Sequence, residues 1–285
     1  MNKVNTTTLG ERMKAYENIT RNYLIPKQPV IGRIDGKSFH SYCKQKWVNK
    51  GFDDVIIKTF HDTTLKICEN VQNIEFAYHQ SDEVTIFLKD YNTPQQQQHF
   101  SGNIQKLAST IASEFTYWFN LFVIENLKER NKNTQVENDF YSKIKPAIFD
   151  CRIFNVPIHE VSNNFIWRQR DCIKNSITSY SLLFFSHNQI HGVDSDKKLK
   201  MLEDINKSWY DLPLHLQRGT AFYKVPFEQQ LTQPSKKLLE AFKKNNEPIP
   251  ETIIRTKWVI DLNIPIFSNQ RNLIDEISNI KIIEK

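Results

Sequence analysis

Several things are missing from this chain, and each absence narrows what it can be. No run of about 18 or more apolar residues occurs in its 285 residues, so no membrane-spanning helix is expected. The first residues, Met1-Asn-Lys-Val-Asn-Thr6, carry no apolar signal region, which reads as a cytosolic protein with mitochondrial import left open. Only four cysteines are present, Cys43, Cys68, Cys151 and Cys172, with no Cys-x-x-Cys pair among them. They read as reduced core residues, not as disulfides or a zinc site. A phosphate-cradling P-loop is missing too, although Gly36-Lys37-Ser38 has its ending. That motif needs a glycine where Ile31 stands, and Gly32 comes one residue late.

What is present suits a globular protein of one domain, or one domain and an appendage: 39% hydrophobic residues and a mean hydropathy of −0.54. A net charge of +6 and a pI near 9.0 favour an acidic partner, nucleic acid being the commonest. The positive charge gathers at Arg168, Arg170 and Lys174, at Lys197, Lys198 and Lys200, and at Lys236, Lys237, Lys243 and Lys244.

The chemistry begins at Val30-Ile-Gly-Arg-Ile-Asp-Gly-Lys-Ser-Phe-His40. A strand-like run ends in Asp35, and Gly36 then removes the Cβ that would block a phosphate or metal from the main chain. Lys37, Ser38 and His40 follow with cationic, hydroxyl and imidazole groups. Taken alone, Asp35 is a turn aspartate capping the next segment. A second carboxylate site downstream changes its weight. Ile74, Phe76 and Tyr78 alternate before a polar turn, and Val84, Ile86 and Leu88 alternate after it, which predicts a hairpin with His79-Gln-Ser-Asp82 at its tip and Glu83 beside it. A strand-end aspartate facing a hairpin aspartate is a way to hold two Mg²⁺ ions, which take one or two carboxylates and borrow the rest of their shell from phosphates and water.

In chain order, Thr8-Leu-Gly-Glu11 is a capping box ahead of a helix to about residue 22. A strand at Val30, a short helix at 38–44, a helix at 53–71 and the hairpin follow. The segment from Tyr91 through Gln98 reads as a tolerated insertion. Phe100, Ile104, Leu107, Ile111, Phe115, Trp118 and Phe122 form the core stripe of a long helix, and residues 147–154 a fourth strand. The order strand, helix, strand, strand, helix, strand predicts an α+β fold, a ferredoxin-like antiparallel sheet resembling a polymerase palm, with packed helices. Crossover handedness puts the first strand beside the hairpin, so that Asp35 and Asp82 meet. Residues 1–160 are then a palm-like catalytic region. Residues 161–285 form a mostly helical C-terminal part in one compact unit with it, with a mixed helix at 163–186 sharing Arg168, Arg170 and Lys174 on one face, a basic segment at 197–207, strands at 220–225 and 253–262, and a last helix at 268–277. The lysine-, asparagine- and proline-rich stretch 234–250 is expected to be mobile.

Four motifs, Arg33-Ile-Asp-Gly-Lys-Ser-Phe-His40, Gln80-Ser-Asp-Glu83, Phe149-Asp-Cys-Arg152 and Trp167-Arg-Gln-Arg-Asp-Cys172, resemble those of the tRNA-histidine guanylyltransferase family in order and spacing. The resemblance covers about residues 8–225. It implies nucleotide addition to the 5′ end of tRNA, the reverse of ordinary polymerase direction, with nucleoside triphosphates as substrates and ATP or GTP for 5′ activation. It makes Asp35 and Asp82 the carboxylates of two Mg²⁺ ions, with the Gly36 carbonyl on the second. Lys37, Ser38, Phe39 and His40, with Ser81, would hold the triphosphate, Lys50 would contact the activated 5′ end, and Glu83 would support the metals. Arg168, Arg170, Lys174, Lys197, Lys198, Lys200 and Arg218 are candidate RNA contacts. The resemblance also suggests a homotetramer, while the lack of a long apolar run is what leaves no membrane partner expected. Where the histidine-tRNA enzymes carry His-Ile-Asn-Asn-Leu-Tyr-Asn, this chain reads Ile173-Lys-Asn-Ser-Ile-Thr-Ser179, which is similar instead to the template-dependent 3′–5′ RNA polymerases that repair 5′-truncated tRNAs. A tRNA-histidine guanylyltransferase, a nucleotidyl cyclase with the same palm, and a metal-free RNA-binding module are the alternatives.

Overall fold

The computed structural model describes residues 8–137, 139–231, 240, 250–271 and 273–278. The chain enters through α1 (Leu9–Ile19), whose Thr8 hydroxyl and Glu11 carboxylate close the capping box, though no residue of the helix is buried. Then come β1 (Val30–Gly36), the short α2 (Phe39–Tyr42) and α3 (Asp54–Asn70), which Asp53 caps through the Ile56 N–H. The hairpin is β2 (Ile74–Gln80) and β3 (Glu83–Leu88), followed by the 27-residue α4 (Ile104–Arg130) and β4 (Phe149–Asn155).

Among the described residues six strands form one antiparallel sheet in the order β4-β1-β3-β2-β5-β6, where β5 is Thr220–Gln230 and β6 is Thr252–Asp261. The first four strands in the order 4-1-3-2 are the split βαβ arrangement, an α+β palm-like sheet as the alternating patterns predict. The β5-β6 hairpin continues it past β2.

Helices cover both faces. Ile34, Ala77, Val84 and Ile86 pack on one side against Phe60 and Ile67 of α3 and Phe115, Phe119 and Leu127 of α4. Ile31, Phe76, Tyr78 and Phe87 pack on the other against α5 (Val161–Ser181), through Phe165, Ile166 and Cys172, with Phe267 and Ile274 beside them. This double cover explains why every residue of β3 is buried. Farther along α5, Ile177 meets Leu202 and Trp209, which secures α7 (Ser195–Glu203); α6 (His187–Ile190), α8 (Leu214–Arg218) and α9 (Leu273–Ser278) complete the described helices.

Some boundaries differ from those expected. The α5 helix runs 161–181, not 163–186, and β5 is longer than the 220–225 expected. The glutamine segment is more than a bare insertion: the Gln96 amide donates to Asn73 Oδ1 and the Lys89 carbonyl, both at 2.9 Å, and Lys27 Nζ donates to the Gln96 carbonyl. The stretch 234–250, with Lys236, Lys237, Lys243 and Lys244, lies outside the described residues apart from 240 and 250. All four cysteines are free; burial pushes the Cys43 thiol up to about 11 and those of Cys151 and Cys172 up to about 12.

Candidate active site

The sheet register brings the two aspartates together. Asp35 at the end of β1 lies opposite Glu83, and the Gly36 N–H donates to the Asp82 carbonyl at 3.1 Å. Asp82 is thus pinned beside Asp35 at the two-residue turn, as the palm topology predicts. Burial pushes the Asp82 carboxyl up from its ordinary range, and the nearby Asp35 charge pushes the same way; its own backbone N–H and the Ser81 hydroxyl, both bonded to it, pull it back. Both loops are tightly wound. Ser38 and Ser81 each sit in the left-handed region at φ 52.

Gly36 has a packing reason beside the one read in the sequence. A Cβ there would lie 2.8 Å from the Phe39 ring, so glycine is needed to let that ring pack beneath the turn. Phe39 itself is buried among Tyr42, Phe60, Phe119 and Phe149, while Lys37, Ser38 and His40 are exposed just past Asp35. The Lys37 backbone N–H donates to the Ile148 carbonyl at 2.8 Å, which fixes the main chain just past the turn.

Glu83 is 8% exposed and points to the α5 side of the sheet. Arg168 Nη1 donates to both of its oxygens, at 3.1 and 3.0 Å, and Arg33 Nε stands 3.7 Å away. This corrects the expected grouping of Arg168 with Arg170 and Lys174. Arg168 is 5% exposed and tied to Glu83, so it is not on a phosphate-facing strip; Arg170 and Lys174, four residues apart, share the exposed face without it. Lys197 is exposed and paired with Asp194 at 3.0 Å, Lys198 donates to Thr178 Oγ1 at 3.0 Å, Lys200 is exposed and Arg218 half-buried.

Beside the aspartates a cavity of about 250 Å³ opens off the end of β2, between α3 and α5. Lys50 and Ser81 stand on its wall, with Phe39, Val48, Phe52 and Ile56 as apolar lining. The Lys50 loop is held by Asp53, which accepts from the Asn49 N–H at 2.7 Å and pairs with Arg130 at 3.1 Å; Arg130 also donates to the Trp47 carbonyl. Ile173 packs against the cluster of Ile177, Leu202 and Trp209.

Sequence reasoning missed a histidine group on this cavity. His79 is not at a hairpin tip but inside β2, 6% exposed and stacked on Phe60 at 4.6 Å; the tip is Ser81 and Asp82 alone. The His61 ring lies 5.4 Å from that of His79 and 6.3 Å from that of His215. Burial pulls His61 down to about 4 and His79 to about 3, each helped by a neighbouring histidine. Spacings of 18 and 136 residues leave no local pattern to find; the exposed-looking polarity of His79-Gln80-Ser81 hid the only hint.

The family profile described as tRNAHis guanylyltransferase (Thg1) matches residues 10–157. A probable tRNA(His) guanylyltransferase of Dictyostelium discoideum is 26% identical over 246 residues, 80% of this chain and 89% of that protein. Among solved structures, a bacterial tRNA(His) guanylyltransferase-like protein in complex with ATP superposes with a TM-score of 0.74 at 31% identity, over 96% of this chain and all of that one. A GTP complex of a bacterial protein of the same description gives 0.69 at 30%, over 95% of this chain and all of that one. The palm-like sheet, the paired aspartates and these matches agree, and the chain belongs to the tRNAHis guanylyltransferase family of nucleotidyltransferases.

Proposed function

We propose that this protein is a template-dependent 3′–5′ nucleotidyltransferase that restores the 5′ end of truncated tRNA, using a nucleoside triphosphate and two Mg²⁺ ions held by Asp35 and Asp82. The observation that carries the reading is the meeting of these two carboxylates at the β2–β3 turn, whose Ser81 lines, together with Lys50, a cavity of about 250 Å³. Nucleotide complexes of similar proteins support it.

The donor set fits magnesium. Among the described residues no group of three or more His, Cys, Asp or Glu is arranged to hold a metal, which argues against a site closed by protein alone. Two carboxylates and the Gly36 carbonyl are what a hard ion takes when phosphates and water supply the rest. The upward push on Asp82, caused by burial and by Asp35, is the strain that a divalent cation relieves. When bound, such ions would offset the negative charge that builds on the reacting phosphates.

The protein's own groups do the rest. Lys37, Ser38, His40 and Ser81 reach the triphosphate, Lys50 the activated 5′ end, and the apolar wall around Phe39 and Phe52 takes the base. The 3′-hydroxyl of the incoming nucleotide gives up its proton and attacks the activated 5′ phosphorus, the new P–O bond forms, and the activating group leaves: pyrophosphate from a 5′-triphosphate end, or AMP or GMP from an end that ATP or GTP has capped with release of pyrophosphate. A 5′-monophosphate end is first activated by ATP or GTP. Arg170, Lys174, Lys197 and Lys200 offer exposed cations to tRNA phosphates. With Ile173 packed into a core cluster, selection falls to base pairing with the opposite acceptor strand, which orients the nucleotide before reaction.

The test is incorporation of each labelled nucleotide into a 5′-truncated tRNA. The complementary nucleotide should enter, and changing the template base should change it. Asp35→Asn and Asp82→Asn, still folded by circular dichroism, should lose about 10³-fold or more. If GTP label enters opposite adenosine of intact tRNA-histidine as readily as opposite cytidine of a truncated tRNA, the second reading, a tRNA-histidine guanylyltransferase, replaces this one. The family's own description favours that alternative.

A further inference from the structure

Ser81 opens the turn that carries Asp82, and it does so in the left-handed region at φ 52. A residue with a Cβ is held there at a cost of about 1 kcal/mol or more, and stays only where its surroundings over-determine it. Three contacts do that here. The Gly36 N–H donates to the Asp82 carbonyl, and the Ser81 hydroxyl donates to the Asp82 carboxylate. The third comes from His79, whose Nε2 lies 3.0 Å from the Ser81 carbonyl oxygen. A carbonyl oxygen only accepts, so Nε2 carries the proton.

The ring that makes this bond has no room to swing. It stacks on Phe60 with an interplanar angle of 17°, and His61 meets it edge-on at 83°. Its backbone is paired with Thr220, and Gly219 runs so close that a Cβ there would lie 2.7 Å from the His79 carbonyl and 2.6 Å from the Tyr78 hydroxyl. That hydroxyl in turn donates to the Arg218 carbonyl at 2.7 Å. Burial keeps the imidazole neutral, so the donor proton sits on one nitrogen and is not shared with a second charge state.

We propose that His79 is a positioning residue for nucleotidyl transfer: by holding the Ser81 carbonyl it fixes the turn so that the Ser81 hydroxyl and the Asp82 carboxylate face Asp35 before any nucleotide arrives. The inference rests on the reading of Asp82 as a site carboxylate. A histidine that only filled space would be accounted for by its stack on Phe60, and the bond to the turn would do nothing.

His79→Phe keeps the stack and removes the donor, whereas His79→Gln gives an N–H back. In the full chain, His79→Phe should lose about 10 to 100-fold in kcat for nucleotide addition, the range found when the partner that orients a metal-holding group is removed. KM for tRNA should not move. Mn²⁺ binding in the presence of a nucleoside triphosphate should weaken by about tenfold or more, and His79→Gln should recover part of both losses. Should the phenylalanine variant not fold, His79→Gln against His79→Leu gives the same contrast of donor kept and donor lost. If His79→Phe changes the melting temperature but leaves kcat and Mn²⁺ affinity at wild-type values, His79 is core filling and the proposal is overturned. Activity that survives Asp82→Asn overturns the underlying reading, and the inference with it, whatever His79→Phe does.

Discussion

Glu83 follows Asp82 directly in the chain, yet its side chain faces a different set of groups. It stands between Arg168 and Arg33 on the α5 side of the sheet, buried and fully engaged. Removing one partner of a buried pair leaves the other charge without compensation, which costs about 3–5 kcal/mol. Arg168→Ala should therefore lower the unfolding free energy by that amount in urea titrations. The double variant Glu83→Gln/Arg168→Met should recover most of it, because two neutral groups of similar size leave no lone charge behind. A loss below about 1 kcal/mol in the single variant would mean that solvent reaches the pair. The sequence reading put Arg168 with Arg170 because both are cations close together in a helix. Two positions apart, however, side chains on a helix point nearly opposite ways, at about 200°. One of them had to turn inward, and Glu83, 85 residues away, decides which.

At the scale of elements, the loop from Trp47 to Asp53 depends on a helix far along the chain. Arg130, in the last turn of α4, bonds both the buried Asp53 carboxylate and the Trp47 carbonyl, and so ties down the loop that presents Lys50. Hydrogen bonds to charged groups are worth about 1.5–3 kcal/mol. Arg130→Met should cost about that much stability, speed hydrogen exchange of the amides at 48–52, and lower kcat for addition to the activated 5′ end several-fold, since the same loop presents Lys50 to that end. Unchanged exchange at these amides would show that Asp53 holds the loop alone. Much of the frame around this loop was legible: alternation marked β2 and β3, an apolar strand-like run marked β1, helical spacing marked α3 and α4, and handedness placed Asp35 beside Asp82. What escaped was set by tertiary contact. His79 looked like a turn residue because it is polar and precedes Gln-Ser-Asp, but its partners, Phe60, His61 and Gly219, come from α3 and the entry to β5. The join of β5 to β2, from Phe76 opposite Tyr223 to His79 opposite Thr220, was equally invisible, since strand pairing so far along the chain leaves no local trace.

For the molecule as a whole, the buried histidines predict an acid limb in stability. His61 titrates near 4 and His79 near 3 in the folded chain, against an ordinary 6.5, and burial lowers His215 as well. The unfolded chain takes up these protons first, so stability is fully present above about pH 6.5 and is lost as pH falls from there toward 3. Each histidine adds a slope of at most about 1.4 kcal/mol per pH unit. Urea midpoints at pH 7.5, 6 and 5 should fall in turn, and His61→Phe should flatten the series by one proton's worth; equal slopes in the two proteins would refute the assignment. The cavity has a consequence for synthesis. Its wall draws on the chain from Phe39 to Thr220, whereas Asp35 on β1 and Asp82 in the β2–β3 turn belong to a four-strand unit complete by Asn155. A nascent chain halted before β5 would carry its paired carboxylates without a closed place for a base. On the ribosome, retention of nucleotide therefore comes after the carboxylates are assembled, and it marks a chain translated at least as far as Thr220.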